Sequence, residues 1–192
     1  MKRKVLLSYA LIIPIVIVLG RNFSTNNALK QTSESTNLVV NGDFEIVTNN
    51  VFPNWKYDAT GLVADRAPNA ITKTSIRFTG TTLERYLSSD AIIVKPGSTY
   101  KFQFTCRIQG KAGPNPGIET INGGEFRATI ADGVGNKKTP FKAITTTSPT
   151  NITLSGLYTV PAGQTSIKLV FYKNADVAYL DDVSLVEVTA SN

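Results

Sequence analysis

Residues 99–109 read Thr-Tyr-Lys-Phe-Gln-Phe-Thr-Cys-Arg-Ile-Gln, and the alternation is strict. Tyr100, Phe102, Phe104, Cys106 and Ile108 fall on one side of an extended chain, and Lys101, Gln103, Thr105, Arg107 and Gln109 on the other. A period of two held over this length is a strand with one buried and one wet face. Cys106 then points into a core, where a thiol behaves as a small hydrophobe.

The same signal recurs on both sides of this stretch. Residues 166–172 place Ile167, Leu169 and Phe171 inward and Lys168, Val170 and Tyr172 outward. Residues 125–130 place Phe126, Ala128 and Ile130 inward and Arg127 outward, and residues 75–79 place Arg77 outward. Pro96-Gly97 and Pro161-Ala162-Gly163 supply turn chemistry between strands. No amphipathic helix pattern follows residue 36. Many short strands without helices make a sandwich or a barrel. Residues 110–124 (GKAGPNPGIETINGG) hold five Gly and two Pro, and a connection of this length is either functional or disordered.

Composition agrees with an all-β chain and excludes several chemistries. Of 192 residues, 23 are Thr, 14 are Gly and only 18% are charged. There is no histidine, which rules out Ser-His-Asp and Cys-His triads and every His metal ligand. One cysteine cannot form an intrachain disulfide or a Cys-based zinc site.

The net charge of +6 is concentrated at the N-terminus. Lys2, Arg3, Lys4 and Arg21 supply four of the 20 positive charges, so the rest of the chain carries 16 against 14, a net of +2. The basic balance therefore does not argue for nucleic acid as a partner. It accompanies residues 5–20 (VLLSYALIIPIVIVLG), an apolar run that ends at Arg21. Sixteen residues are short for a membrane span, which needs about 20, and suit a secretory signal. The alternative is an uncleaved anchor, the only membrane contact the sequence suggests. Both readings take the remainder out of the cytoplasm, to a secreted, periplasmic or cell-surface location. Residues 21–36 are polar and aperiodic and read as a linker, so the folded domain is expected over residues 37–192.

Two motifs frame that domain. Near its start stands Asn37-Leu38-Val39-Val40-Asn41-Gly42-Asp43-Phe44-Glu45, followed by Trp55; near its end stands Tyr179-Leu180-Asp181-Asp182-Val183-Ser184-Leu185. Between them lie Lys95-Pro96-Gly97-Ser98-Thr99-Tyr100 and Ser155-Gly156-Leu157-Tyr158-Thr159-Val160-Pro161. In this order and spacing the motifs resemble the carbohydrate-binding modules of the family 4, 9 and 22 group, over about residues 37–188. The resemblance implies an antiparallel two-sheet jelly-roll sandwich of the galactose-binding-like type. It also implies a structural calcium near the chain ends, and an oligosaccharide or polysaccharide bound on an outer sheet face or a loop rim.

Candidate residues follow from these two sources. By family position Glu45 and Asp181 are the calcium ligands. Strand parity supports Asp181 by placing it with Tyr179, Val183 and Leu185 on the core side, where a carboxylate needs a cation or strong hydrogen bonds. For sugar, flat aromatic faces and the rigid fork of Arg are the suitable groups. Tyr172 and Tyr86 are the candidate aromatic platforms, and Arg107, Gln103 and Gln109 line the wet face of the best strand. Trp55 is either a platform or a core plug. An enzyme is the rival class, but no acid pair or Tyr-His constellation is identifiable, and the domain is read as non-catalytic. The runner-up is a structural or adhesion sandwich of the cell envelope that binds no sugar. The two differ in whether Tyr172, Arg107 and Gln103 converge on one groove.

Overall fold

Among the described residues, alternating side chains generate eleven strands: β1 (Trp55–Tyr57), β2 (Leu62–Arg66), β3 (Thr74–Phe78), β4 (Arg85–Ser89), β5 (Ile92–Ile93), β6 (Thr99–Gln109), β7 (Phe126–Asp132), β8 (Lys138–Ile144), β9 (Ser148–Thr159), β10 (Ser166–Lys173) and β11 (Val177–Glu187). The computed structural model describes residues 36–57, 61–79, 85–109, 126–144, 148–173 and 177–189, all within the unit Glu34–Asn192. The apolar N-terminal segment, the linker apart from Thr36, and the Gly- and Pro-rich stretch at 110–124 lie outside the described residues.

The strands form two antiparallel sheets. One runs β2-β3-β11-β6-β9; the other runs β1-β4-β10-β7-β8, with β5 also paired to β10. The expected alternation of β6 holds: Tyr100, Phe102, Phe104, Cys106 and Ile108 are all buried. The two inner faces meet through aromatic rings. Phe104 of β6 meets Phe171 of β10 edge-on at 5.2 Å, and Phe78 of β3 meets Phe126 of β7 at 5.6 Å. Each such ring buried contributes about 1.5–3 kcal/mol. Burial pushes the Cys106 thiol up to about 12, so it stays a neutral core group.

The two framing motifs lock the chain ends together. Leu38 N–H donates to Leu185 C=O at 2.9 Å, and Asn37 Oδ1 accepts from Leu185 N–H at 2.9 Å. Val183 N–H donates to Gly42 C=O at 2.8 Å, and a Cβ at Gly42 would lie 2.1 Å from Val183 O. Only glycine admits that approach. Asn41 sits at φ +52° and brackets the turn, donating to Ile46 C=O at 2.9 Å and accepting from Ile46 N–H at 3.0 Å. Left-handed backbone with local side-chain hydrogen bonding is the niche in which Asn is favoured.

β11 departs from its expected parity. Asp182 stands at φ +50°, and the pairing with β6 shifts between Asp181 and Ser184. This bulge adds one residue. Ala178 and Leu180 face the core before it, Val183 and Leu185 after it. Tyr179 and Asp181 therefore lie on the outer side of the five-stranded sheet, a correction to the core-side placement expected from simple alternation.

Candidate functional site

The sugar-site candidates divide between two opposite surfaces. Tyr172 and Tyr86 stand on the outer face of the six-stranded sheet, where β10 and β4 pair them directly. Arg107, Gln103 and Gln109 stand on β6, on the outer face of the five-stranded sheet. The groove expected of Tyr172, Arg107 and Gln103 is not formed, and by the criterion set out above this set of residues does not favour a sugar site over a structural or adhesion sandwich. Each residue points outward as its parity requires, but the two strands belong to different sheets and their wet faces point apart.

Of the two readings open for Trp55, the structure bears out the core plug and not the sugar platform. Trp55 is only 5% exposed, packs on Phe44 at 5.2 Å and on Phe171 at 6.3 Å, and donates from Nε1 to Asn41 C=O at 3.0 Å. Its indole is a core plug under the first motif, and no face is left for a ligand.

On the five-stranded sheet the register sets Arg77, Tyr179 and Arg107 side by side across β3, β11 and β6. The Arg107 guanidinium lies over the Tyr179 ring at 4.2 Å from its centroid. It also donates to Asn151 Oδ1 at 3.3 Å and to the Asn69 carbonyl. Arg107 is thereby engaged in holding the turn after β2. Gln103 is half-buried among Asn37, Asp43, Asp182 and Ser184, which line a polar depression of about 400 Å³. Gln109 is half-buried at the far end of β6, opposite Val177.

The six-stranded sheet carries a denser cluster. Pairing of β10 with β7 sets Tyr172 opposite Arg127, whose guanidinium carbon lies 4.9 Å from the ring centroid. From β8, Lys138 Nζ lies 5.4 Å from the same centroid and donates to Tyr172 Oη at 2.8 Å. Tyr172 and Arg127 are 7% and 3% exposed, with Val170 and Ala131 packed beside the ring. Tyr172 therefore forms a floor held by two cations, and the open aromatic surface is Tyr86, 46% exposed. Sequence reasoning did not single out Arg127 or Lys138. The outward parity of Arg127 was visible; its approach to Tyr172 depends on which strands pair.

Glu45 and Asp181 both reach the segment Thr72–Ser75. Glu45 accepts from Thr74 N–H at 3.0 Å and from Thr74 Oγ1 at 3.3 Å. Asp181, fully buried, accepts through Oδ2 from Thr72 N–H at 3.2 Å, Thr72 Oγ1 at 2.6 Å and Ser75 Oγ at 2.8 Å, and through Oδ1 from Asp182 N–H at 2.8 Å. Burial raises the Asp181 carboxyl above its ordinary range, and these hydrogen bonds oppose the shift. Asp182 is raised as well, first by burial and then by the charges of Asp43 and Glu45. The side-chain atoms that could ligate an ion here, carboxylate and hydroxyl, are all oxygen, the chemistry calcium prefers. Among the described residues no three His, Cys, Asp or Glu side chains gather as a metal-binding group. An ion at this place would therefore complete its shell from hydroxyls, carbonyls and water.

Comparison with known proteins agrees with this architecture. The chain belongs to the Carbohydrate binding domain family, which matches residues 36–177. No curated protein matches it in sequence. Among solved structures it is similar to a Family 16 Carbohydrate Binding Module-2, with TM-score 0.56, 18% identity, and coverage of 79% of this chain and 100% of that one. It is also similar to the CBM22-1 xylan-binding domain of Paenibacillus barcinonensis Xyn10C, with TM-score 0.55, 17% identity, and 82% and 97% coverage. A third is TmCBM61 in complex with β-1,4-galactotriose, with TM-score 0.56, 16% identity, and 80% and 100% coverage. At these identities the likeness concerns the fold: an antiparallel jelly-roll sandwich.

Proposed function

We propose that this chain is an exported, non-catalytic protein that binds a glycan reversibly on the outer face of its six-stranded sheet. The observation that carries the reading is the cluster there: exposed Tyr86 beside a Tyr172 ring flanked by Arg127 and Lys138. A sugar ring offers an apolar C–H face, which stacks on an aromatic side chain, and a rim of hydroxyls, which accept from planar or charged donors. Affinity then comes from stacking and hydrogen bonds, with no bond made or broken. Membership of the carbohydrate-binding family supports the same reading.

The similar structures suggest the first probes, since one is a xylan-binding domain and another holds a β-1,4-galactotriose. Native gels of the full-length chain cast with xylan, β-1,4-galactan or an acidic polysaccharide test the proposal. Retardation by at least one is the expected result. Retardation by none, with the fold intact by circular dichroism, would leave a structural or adhesion sandwich instead.

Export is supported by the basic start and the apolar run at residues 5–20. Mass spectrometry of the extracellular or envelope form should find a new N-terminus between residues 20 and 28. A full-length species extracted only with membranes would replace the cleaved signal with an anchor. Calcium belongs to the proposal as an ion held by Glu45 and Asp181, where it would tie together two chain ends 136 positions apart. Its support is that both carboxylates reach one segment, and that Asp43, Glu45 and Asp182 crowd their negative charges beside it.

A further inference from the structure

A sheet ends in strands whose outward N–H and C=O groups lack a partner strand, and proteins blunt such edges with short strands, charged side chains or proline. Among the described residues the edges are β1 and β8 of one sheet and β2 and β9 of the other. β1 is three residues long and contains Lys56, β2 ends in Asp65-Arg66, and β8 contains Lys138, Pro140 and Lys142. β9 lacks these devices. It is twelve residues long, has its one proline, Pro149, beside its first residue, and contains no charged residue.

The edge of β9 is also open. Val160 N–H donates to Ser98 C=O at 2.9 Å, and the register continues unbroken from Thr159 opposite Thr99 to Ile152 opposite Cys106. In an antiparallel ladder every second residue turns both backbone groups to its partner. Tyr158, Gly156 and Leu154 therefore bond toward β6, and Thr159, Leu157, Ser155 and Thr153 turn N–H and C=O away from it. No residue from Thr150 to Thr159 is buried, whereas the inward residues of neighbouring β6 are at most 1% exposed. Leu157 is 67% exposed. From Asn151 to Thr159 this edge extends about 26 Å.

We propose that β9 pairs antiparallel with β9 of a second copy of this chain, joining two five-stranded sheets into one across a two-fold axis. Identical antiparallel edges are self-complementary, each donor meeting an acceptor. The sequence selects the occupant: a second β9 brings no charge into the contact, whereas the other edges of the fold would bring Lys56, Asp65 or Lys142. The outward side chains, Thr153, Ser155, Leu157 and Thr159, then pack across the junction, where β-branched and apolar pairs are favourable. The axis stands normal to the sheet, so like faces stay on one side. Taken with the glycan reading, this sets both Tyr86 rings toward one polymer, where two sites act together; the pairing itself rests on the fold alone. A contact one strand wide falls below the roughly 1,200 Å² of standard interfaces and is reversible.

The test is cross-linking of the full-length chain by a short bismaleimide. Cys106 is the only cysteine and is fully buried, so one introduced thiol reports its own surroundings. Ser155→Cys places it on the exposed β9 edge, and Ile93→Cys places it at a site 76% exposed on β5. Ser155→Cys is expected to form linked dimer at least about tenfold faster than Ile93→Cys, because pairing raises the local thiol concentration. Adding Leu157→Lys to Ser155→Cys should slow it several-fold, since like charges then meet across the junction. Circular dichroism of each variant checks that the sandwich is intact. Equal rates for Ser155→Cys and Ile93→Cys, or a rate that Leu157→Lys leaves unchanged in a folded chain, overturns the self-pairing. Neither result bears on whether the chain binds glycan.

Discussion

Asp181→Ala is expected to lower the thermal unfolding midpoint by on the order of 10 °C. The side chain is fully buried and accepts four hydrogen bonds, from Thr72 N–H, Thr72 Oγ1, Ser75 Oγ and Asp182 N–H. Truncation leaves these donors without their acceptor in a place water enters poorly. Each buried donor left unsatisfied costs about 1–3 kcal/mol. Partial relaxation toward water reduces the sum, so about 3 kcal/mol is a reasonable net loss, and for a domain of this size each kcal/mol moves the midpoint by about 2–4 °C. The conservative variant Asp181→Asn should fall between, because an amide keeps one acceptor oxygen and turns an NH₂ toward the remaining donors.

The same unfolding experiment decides the metal. If calcium joins Glu45 to Asp181, chelator lowers the midpoint of the parent chain by several degrees, since an ion at a hundredfold excess over its dissociation constant adds about 2.7 kcal/mol. Asp181→Asn should then lose that sensitivity. A parent midpoint that ignores both calcium and chelator would leave Asp181 as a carboxylate held by Thr72 and Ser75 and remove the ion from the account.

What could be read from the sequence, and what could not, divides along a physical line. The strict alternation in Thr99–Gln109 reports its own burial pattern, because side-chain parity along a strand is a local property. The core positions of β6, β7 and β10 were legible for that reason. The neighbours of a strand are set by long-range pairing, which alternation does not encode. Arg107 and Tyr172 were each correctly outward, yet they face opposite directions because β6 and β10 lie in different sheets. Arg127 was outward too, and only its pairing with β10 reveals it as a neighbour of Tyr172.

The bulge in β11 was hidden by a similar limit. Tyr179, Asp181, Val183 and Leu185 alternate perfectly on paper, but Asp182 takes left-handed backbone and resets the phase. One signal was present: two successive Asp residues inside a strand, where Asp is depleted, mark a place where regular pairing yields. Trp55 shows the complementary case. Its burial follows from packing on Phe44 and Phe171, partners drawn from different parts of the chain. The glycine of the first motif is a further case, since the reason for it, the approach of Val183 O to Gly42, is visible only in the fold.

The central claim is that glycan binds the six-stranded sheet and not the five-stranded one. Tyr86 and Arg107 separate the two surfaces. Tyr86 is an exposed ring, so Tyr86→Ala should keep its unfolding midpoint while losing a stacking contact of about 1.5–3 kcal/mol, a ten- to hundredfold drop in affinity. Arg107 stands on the opposite face over Tyr179. The decisive measurement is the affinity of the full-length parent, Tyr86→Ala and Arg107→Ala for whichever polysaccharide retards the parent in native gels. The account predicts the ten- to hundredfold loss in Tyr86→Ala and parent-like affinity in folded Arg107→Ala; a loss in Arg107→Ala with Tyr86→Ala binding as the parent does would contradict it.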